Sequence, residues 1–138
     1  WPWLVQMGGY TRAGWYSYDR FDNAGRPSAD RIITELQNLQ VGDVMLTSPT
    51  GGFTVTAIDP GRSLVLLIDH DGSHISSVPM LTSLPGGKTR LVFRVRASFR
   101  PRHWLFALMF DLGDFIFMRK LMLGIKERAE RHSYPTRE

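Results

Sequence analysis

The sequence predicts an α+β domain in which a curved antiparallel β-sheet packs against one long C-terminal α-helix. Two observations predict this arrangement. Apolar residues recur with a period of two between residues 53 and 99, which is typical of strands, and with a period near 3.6 after Pro101, which is typical of a helix. With 138 residues, the chain also has the length of a single domain.

The predicted sheet contains consecutive antiparallel strands that are joined by tight turns. The segments FTVTAI and SLVLLI flank the turn sequence DPGR, and SHISSVPM follows the turn dipeptide Asp71-Gly72. The glycine pair of PGGK then leads into the last strand, TRLVFRVRASF. One face of this strand is apolar, and the other carries Arg90, Arg94, Arg96 and Arg100. We therefore expect one face of the sheet to form the core and the other to contact water.

The helical pattern after Pro101 predicts that the helix covers the apolar face of the sheet. Its apolar positions fall three or four residues apart and lie on one face of a helix, at Leu108, Leu112, Phe115, Met118, Met122, Ile125 and Ala129.

Two shorter helices are predicted before the sheet. PWLVQM reads as a short helix that ends at Gly8 and Gly9. PSADRIITELQNLQVGD reads as a short helix or helical loop with Ser28 as its N-cap, because apolar residues recur at helical intervals at Ile32, Ile33, Leu36 and Leu39.

An aromatic-rich segment, AGWYSYDRFDN, lies between the two predicted helices at residues 13–23. If it is extended, Trp15 and Asp19 lie on one face, and Tyr16 and Tyr18 on the other. Neither face is purely apolar, and Trp and Tyr combine a large apolar body with a polar tip. This mixture suits the wall of a cavity, although the alternation alone leaves open which face points inward.

The composition excludes several classes of site. Without cysteine, the chain cannot form disulfides, thiol nucleophiles or thiolate metal sites, which is compatible with a cytoplasmic location. The net charge of +4 suits an anionic partner but says nothing about fold. Asp111 and Asp114 interrupt the most apolar segment, and each would cost about 3 kcal/mol at a bilayer centre, so we expect no membrane span.

Three further patterns carry weak functional signals. GGYTRAG lacks the Lys-Ser/Thr pair that a phosphate loop requires. DHDGSH reads as a polar hairpin turn, since the rest of a calcium loop is missing. The arginines of the last strand do not alternate with aromatic stacking partners. We therefore expect no metal, no cofactor and no nucleic-acid partner.

Five blocks of the chain resemble a bacterial branch of the SRPBCC superfamily, the START-related polyketide cyclase/dehydrase and lipid-transport group. They are WPWLVQMG, AGWYSYD with GRPSADRI, LQVGD, GGKTRLVFRVRASF and GDFIFMRKLMLGIKERAE. The resemblance implies a helix-grip fold, in which the curved sheet wraps around the C-terminal helix and encloses a deep hydrophobic cavity. We expect one domain of this kind over residues 1–132, and a flexible tail over residues 133–138, where the helical pattern has ended.

The same resemblance implies non-catalytic binding or carriage of a hydrophobic small molecule, such as a lipid or a polyketide-like compound. The candidate lining residues are Trp15, Tyr16, Tyr18, Phe115, Met118 and Met122. One alternative is a cyclase or dehydratase that uses Asp19 or Asp114 as a base and Tyr18 as a proton donor. A second alternative is a regulatory or membrane-surface interaction module.

The resemblance also predicts that an N-terminal strand is absent, because members of the group have one before the WPWL helix and this chain begins at Trp1 without a Met. A missing strand would expose a sheet edge, and an exposed edge can pair with another chain. Oligomerisation through that edge and weak association with a membrane surface therefore remain open.

Overall fold

The structure is a computed structural model that describes residues 1–70, 72–99 and 104–133. Five strands form one antiparallel sheet, in the order β1-β2-β3-β4-β5, that curls into a half-barrel. The strands are β1 (Val44–Ser48), β2 (Gly51–Asp59), β3 (Ser63–His70), β4 (Ser73–Leu84) and β5 (Lys88–Ser98). The helices are α1 (Pro2–Val5), α2 (Asp19–Asp22) and the long α3 (Trp104–Ser133). The predicted α+β class is confirmed, and the architecture is compatible with a helix-grip fold.

Strands β2 to β5 confirm the four strands that the period of two predicts. The longest ladder joins β4 and β5, from the pair Leu84 and Lys88 at the turn to the pair His74 and Ser98 at the far end. Gly86 and Gly87 have φ angles of 77° and 71°, the left-handed conformation that a tight hairpin turn needs and that glycine adopts without strain. The chemistry of the turn thus sets the register of the ladder.

Strand β1 is an addition to the predicted sheet. It pairs with β2, and the register shifts between Leu46 and Ser48. At the same place Gly52 lies so close to Met45 that a Cβ would overlap the Met45 carbonyl oxygen. Beside this irregularity, the backbone amide of Gly9 donates a hydrogen bond of 2.8 Å to the Leu46 carbonyl, which ties the edge of the sheet to the N-terminal segment.

The segment that follows α2 is less helical than its spacing predicts. Only a 3-10 turn forms, at Thr34–Leu36. Ser28 caps no helix, because its hydroxyl accepts a hydrogen bond from the Tyr16 amide and donates one to the Asp19 carboxylate. The segment is therefore an irregular connection that side-chain hydrogen bonds hold in place.

The two halves of α3 differ in exposure. Leu121 and Ile125 of the second half are buried in the core. In the first half, by contrast, apolar side chains are 46–69% exposed, at Leu105, Leu108, Met109, Leu112, Phe115 and Ile116. The apolar face predicted for the whole helix is thus covered by the rest of the described chain only in its second half.

The core fills the concave side of the sheet. It joins the second half of α3 to the N-terminal segment and to inward side chains of β1, β2 and β3, and its buried members include Trp3, Leu4, Met7, Tyr16, Met45, Val55, Leu64 and Leu66. On β5, Phe93 and Val95 are half-buried whereas Arg94 and Arg96 are exposed, as the alternation predicts. Asp71, Arg100 and residues 134–138 of the predicted tail lie outside the described residues.

Candidate functional site

A cavity of about 220 Å³ lies between the concave face of the sheet and the middle of α3. We call it the inner cavity. Its described lining residues are Trp15, Ser17, Asp22, Thr47, Phe53, Leu66, Ile75, Ser77, Phe93, Val95, Asp114, Phe117, Met118 and Leu121. Alternate residues of a strand point to the same face, so inward positions of neighbouring strands together build the apolar sheet wall.

An outer cavity of about 340 Å³ adjoins the inner one. The two share Phe93, Val95, Asp114 and Met118, and the outer cavity adds Phe115 and Met122. Small-molecule sites typically occupy about 300–1,000 Å³ and have mostly apolar walls with a few polar groups. The pair of cavities has this size and this character.

Trp15 forms the wall of the inner cavity nearest to the edge of the sheet. Its indole Nε1 donates a hydrogen bond of 2.8 Å to the Leu46 carbonyl, and its ring meets that of Phe53 edge to face with centroids 6.1 Å apart. Because the bond satisfies the polar tip, the rest of the ring can face the cavity as apolar surface. The Leu46 carbonyl of β1 thus fixes the position of this side chain.

Ser17 and Asp22 supply polar groups to the wall opposite the sheet. The Ser17 hydroxyl donates to the Phe117 carbonyl over 3.2 Å, which ties the loop before α2 to the middle of α3. Asn23 follows Asp22 and fixes the end of α2. Its side chain accepts a hydrogen bond from the Tyr10 amide and donates one to the Arg26 carbonyl, each of 2.7 Å. The carboxylate of Asp22 is therefore presented by a short helix that is fixed at both ends.

The Asp22 carboxylate is in an unfavourable environment for a charge. Its Oδ1 is buried, and no donor among the described residues reaches it. Burial raises the pKa of Asp22 above its ordinary value and the neighbouring Asp19 carboxylate raises it further, while hydrogen bonds from the backbone of Tyr18 and Asp22 and from the Ser17 side chain offset part of this rise. Ionised Asp22 is thus a cost to the folded protein.

The structure brings four of the six predicted lining residues to the two cavities. Trp15 and Met118 line the inner cavity, and Phe115 and Met122 line the outer one. Tyr18, 39% exposed, packs its ring against Phe117 with centroids 5.3 Å apart and is not among the described lining residues.

Tyr16 lies in the core rather than among the described lining residues. Its hydroxyl donates to the Trp3 carbonyl over 3.1 Å, and the Arg128 guanidinium lies 4.8 Å from the centre of its ring. Its φ of 56° turns the chain at this point, so the side chains of residues 15–18 do not alternate between two faces. As a result, Trp15 and Ser17 reach the cavity while Tyr16 points between α1 and α3.

The acids named for the enzymatic alternative are placed differently. Both carboxylate oxygens of Asp19 accept hydrogen bonds from Ser28, at 2.8 Å from its amide and 2.5 Å from its hydroxyl. Asp114 lines both cavities. Of the three groups in that alternative, only Asp114 therefore lies at the described cavity wall.

Asp22 is the ionisable residue of the described lining that was not among the predicted site residues, and Ser17, Thr47 and Ser77 are further polar ones. Asp22 stands beside Phe21, which is 72% exposed, in a segment where acidic and aromatic residues alternate. The only local signal was a carboxylate at the end of an aromatic-rich segment, and this signal also fits an ordinary surface acid. Asp22 reaches the cavity because the chain turns at Tyr16 and packs against α3. Neither feature can be predicted from the residues next to Asp22.

Asp22→Asn should change how stability depends on pH. The folded state raises the pKa of Asp22 above its ordinary value of 3.8, so the folded protein favours the protonated side chain. The stability that this protonation contributes is lost as the pH rises through the pKa of Asp22 in the folded state. We expect the free energy of unfolding of the wild type, relative to the variant, to fall between about pH 3 and about pH 7. Urea unfolding at both pH values measures this difference, and a rise over the same interval would contradict it.

Comparison of the chain with protein-family models, with curated proteins and with solved structures gave no match. Within the described residues, no three His, Asp or Glu side chains are grouped so that they could hold a metal ion. No helix in that part of the chain is both long and apolar enough to cross a membrane.

Proposed function

We propose that the protein binds and carries a hydrophobic small molecule, such as a lipid or a polyketide-like compound, in the inner and outer cavities without catalysing a reaction. The observation that carries this proposal is the apolar cavity between the curled sheet and α3. A ligand there gains about 25 cal/mol for each Å² of apolar surface removed from water. Five sequence blocks that resemble the SRPBCC superfamily support the same function, and the absence of cysteine suits a carrier in the cytoplasm.

The side chains at the boundary of the two cavities suit a carrier. Met118 lines both cavities and Met122 the outer one, and methionine adapts its shape to irregular apolar partners because it is unbranched and flexible. Phe115, 69% exposed, stands at the outer cavity, where an apolar ligand would cover it. A ligand that spans both cavities would thus bury surface that the described chain leaves open.

A cavity-filling variant tests the proposal. Ser77 of β4 is buried and lines the inner cavity, so Ser77→Leu adds apolar atoms to the space a ligand would occupy. We expect wild-type protein incubated with a lipid extract to retain an apolar compound detectable by mass spectrometry, and Ser77→Leu to retain about tenfold less.

The matched control is Ser76→Leu. Ser76 is the preceding residue of β4, and its side chain points to the other face of the sheet. It should retain as much ligand as the wild type. Equal retention by Ser77→Leu and the wild type, or a folded wild type that retains nothing, would refute carriage in this cavity.

A further inference from the structure

One described polar atom in the wall of the inner cavity, Asp22 Oδ1, lacks a hydrogen-bond partner that other polar groups of the wall have. The Ser17 hydroxyl donates to the Phe117 carbonyl and also lies within hydrogen-bond reach of the Asp22 carboxylate, and the indole N–H of Trp15 is used at Leu46. Asp22 Oδ1, by contrast, is buried and receives no hydrogen bond from the described residues. A buried carboxylate oxygen without a donor is costly and rare in folded proteins, so a donor from outside the chain would satisfy it.

The charge of the described lining has one sign. Asp22 is the ionisable member with an unpartnered oxygen, Asp114 has an interaction of its own, and no Lys, Arg or His stands among the described lining residues. An anionic headgroup would meet the like charge of Asp22 beside a mostly apolar wall, where water screens the repulsion less than in bulk solvent. A cationic headgroup would meet the opposite charge and could donate to Asp22, and hydrogen bonds between ionised partners are about twice as strong as neutral ones.

We propose that Asp22 anchors the ligand, and that the cavity takes an amphiphile with a primary ammonium head and an apolar tail. This inference rests on the proposed carrier function. The ammonium donates to Asp22 Oδ1, and the tail packs against the apolar sheet wall and Met118. Fatty acids and other anionic amphiphiles are discriminated against, because their carboxylate would meet the like charge of the Asp22 carboxylate.

Three probes with the same tail test the headgroup. Octylamine, 1-octanol and octanoate share one alkyl chain and differ in the charge of the head, so calorimetric titration of the full chain near pH 7 compares headgroups directly. We expect octylamine to bind at least about tenfold more tightly than octanoate, with the alcohol between them. This ranking needs no variant, so it stands even if a substitution impairs folding.

Asp22→Asn tests the anchor itself. The amide keeps the size of the side chain and removes the charge, so octylamine should bind about tenfold more weakly while 1-octanol changes by less than about twofold. Circular dichroism confirms that the variant is folded. Asp30→Asn is the control, because it removes the same charge from an exposed residue outside the described lining and should leave the ranking unchanged.

The outcomes separate this inference from the carrier function. Octanoate binding as tightly as octylamine, an amine preference that survives Asp22→Asn, or its equal loss in Asp30→Asn would overturn the ammonium site and leave the carrier standing. Failure of all three probes to bind would overturn both.

Discussion

Gly124→Ala is expected to destabilise the protein by about 3 kcal/mol or more, although alanine is the better helix former. Gly124 lies in the buried second half of α3, where a Cβ would overlap the Tyr16 carbonyl oxygen and lie 2.9 Å from the Tyr16 Cβ. Most of the atoms that would have to move are backbone, held by the Tyr16 bonds to Ser28 and Trp3. A thermal melt should show a loss of about 10 °C.

The same helix provides the matched control. Gly113 is also helical, and a Cβ there would meet nothing within 4 Å among the described atoms. Gly113→Ala should therefore stabilise the protein by about 0.5–1 kcal/mol, the ordinary gain from replacing glycine inside a helix. If both variants melt above the wild type, the close packing of Tyr16 on α3 is not a feature of the folded protein.

The fold was largely predictable from sequence because its hairpins are local. Each of strands β2 to β5 is joined to the next by a short turn with its own signal, and the period of two sets which residues face inward. Strand β1 was not predicted because it is only five residues long and its place depends on the register shift after Leu46 and the close approach of Gly52. Short strands of this kind are specified by their partners more than by their own pattern.

The candidate site was predictable only in part, for a physical reason. Met118 and Met122 reach the cavities through the helical period, which is a local property. Trp15, Ser17 and Asp22 reach the inner cavity because the chain turns at Tyr16, and a positive φ at a tyrosine has no local signature. Tertiary contacts with α1, α3 and Ser28 support that turn, so no reading of residues 13–23 alone would reveal it.

The segment after α2 shows the same limit. Apolar spacing at Ile33 and Leu36 predicts a helix or helical loop, yet the Arg31 carbonyl and the Ile33 amide are both bonded to the side chain of Gln6. A distant glutamine therefore supplies the partners that a helix would have provided from its own backbone. The apolar spacing of this segment predicts a helix, but it contains no information about the Gln6 side chain that binds the backbone instead.

Gln6→Met should therefore have the second large effect on stability, a loss of about 3 kcal/mol. Gln6 is fully buried, and its side chain donates to the Arg31 carbonyl over 3.0 Å and accepts from the Ile33 amide over 2.9 Å. Methionine has a similar shape but cannot replace these bonds, so two backbone groups lose their partners. Urea unfolding measures the loss, and trypsin should cleave after Arg31 faster than in the wild type.

Gln37→Met separates this effect from the general loss of an amide. Gln37 is half-buried, and its Nε2 donates to Gln6 Oε1 over 3.1 Å and to the Ile33 and Pro2 carbonyls over 3.3 and 3.4 Å, but its removal leaves the bonds from Gln6 to the backbone of Arg31 and Ile33 in place. We expect it to cost about 1 kcal/mol or less and to leave cleavage after Arg31 unchanged. Equal losses for the two variants would contradict a dominant role for the Gln6 bonds to Arg31 and Ile33. A larger loss for Gln6→Met would show that one buried side chain replaces the helix that the apolar spacing predicts.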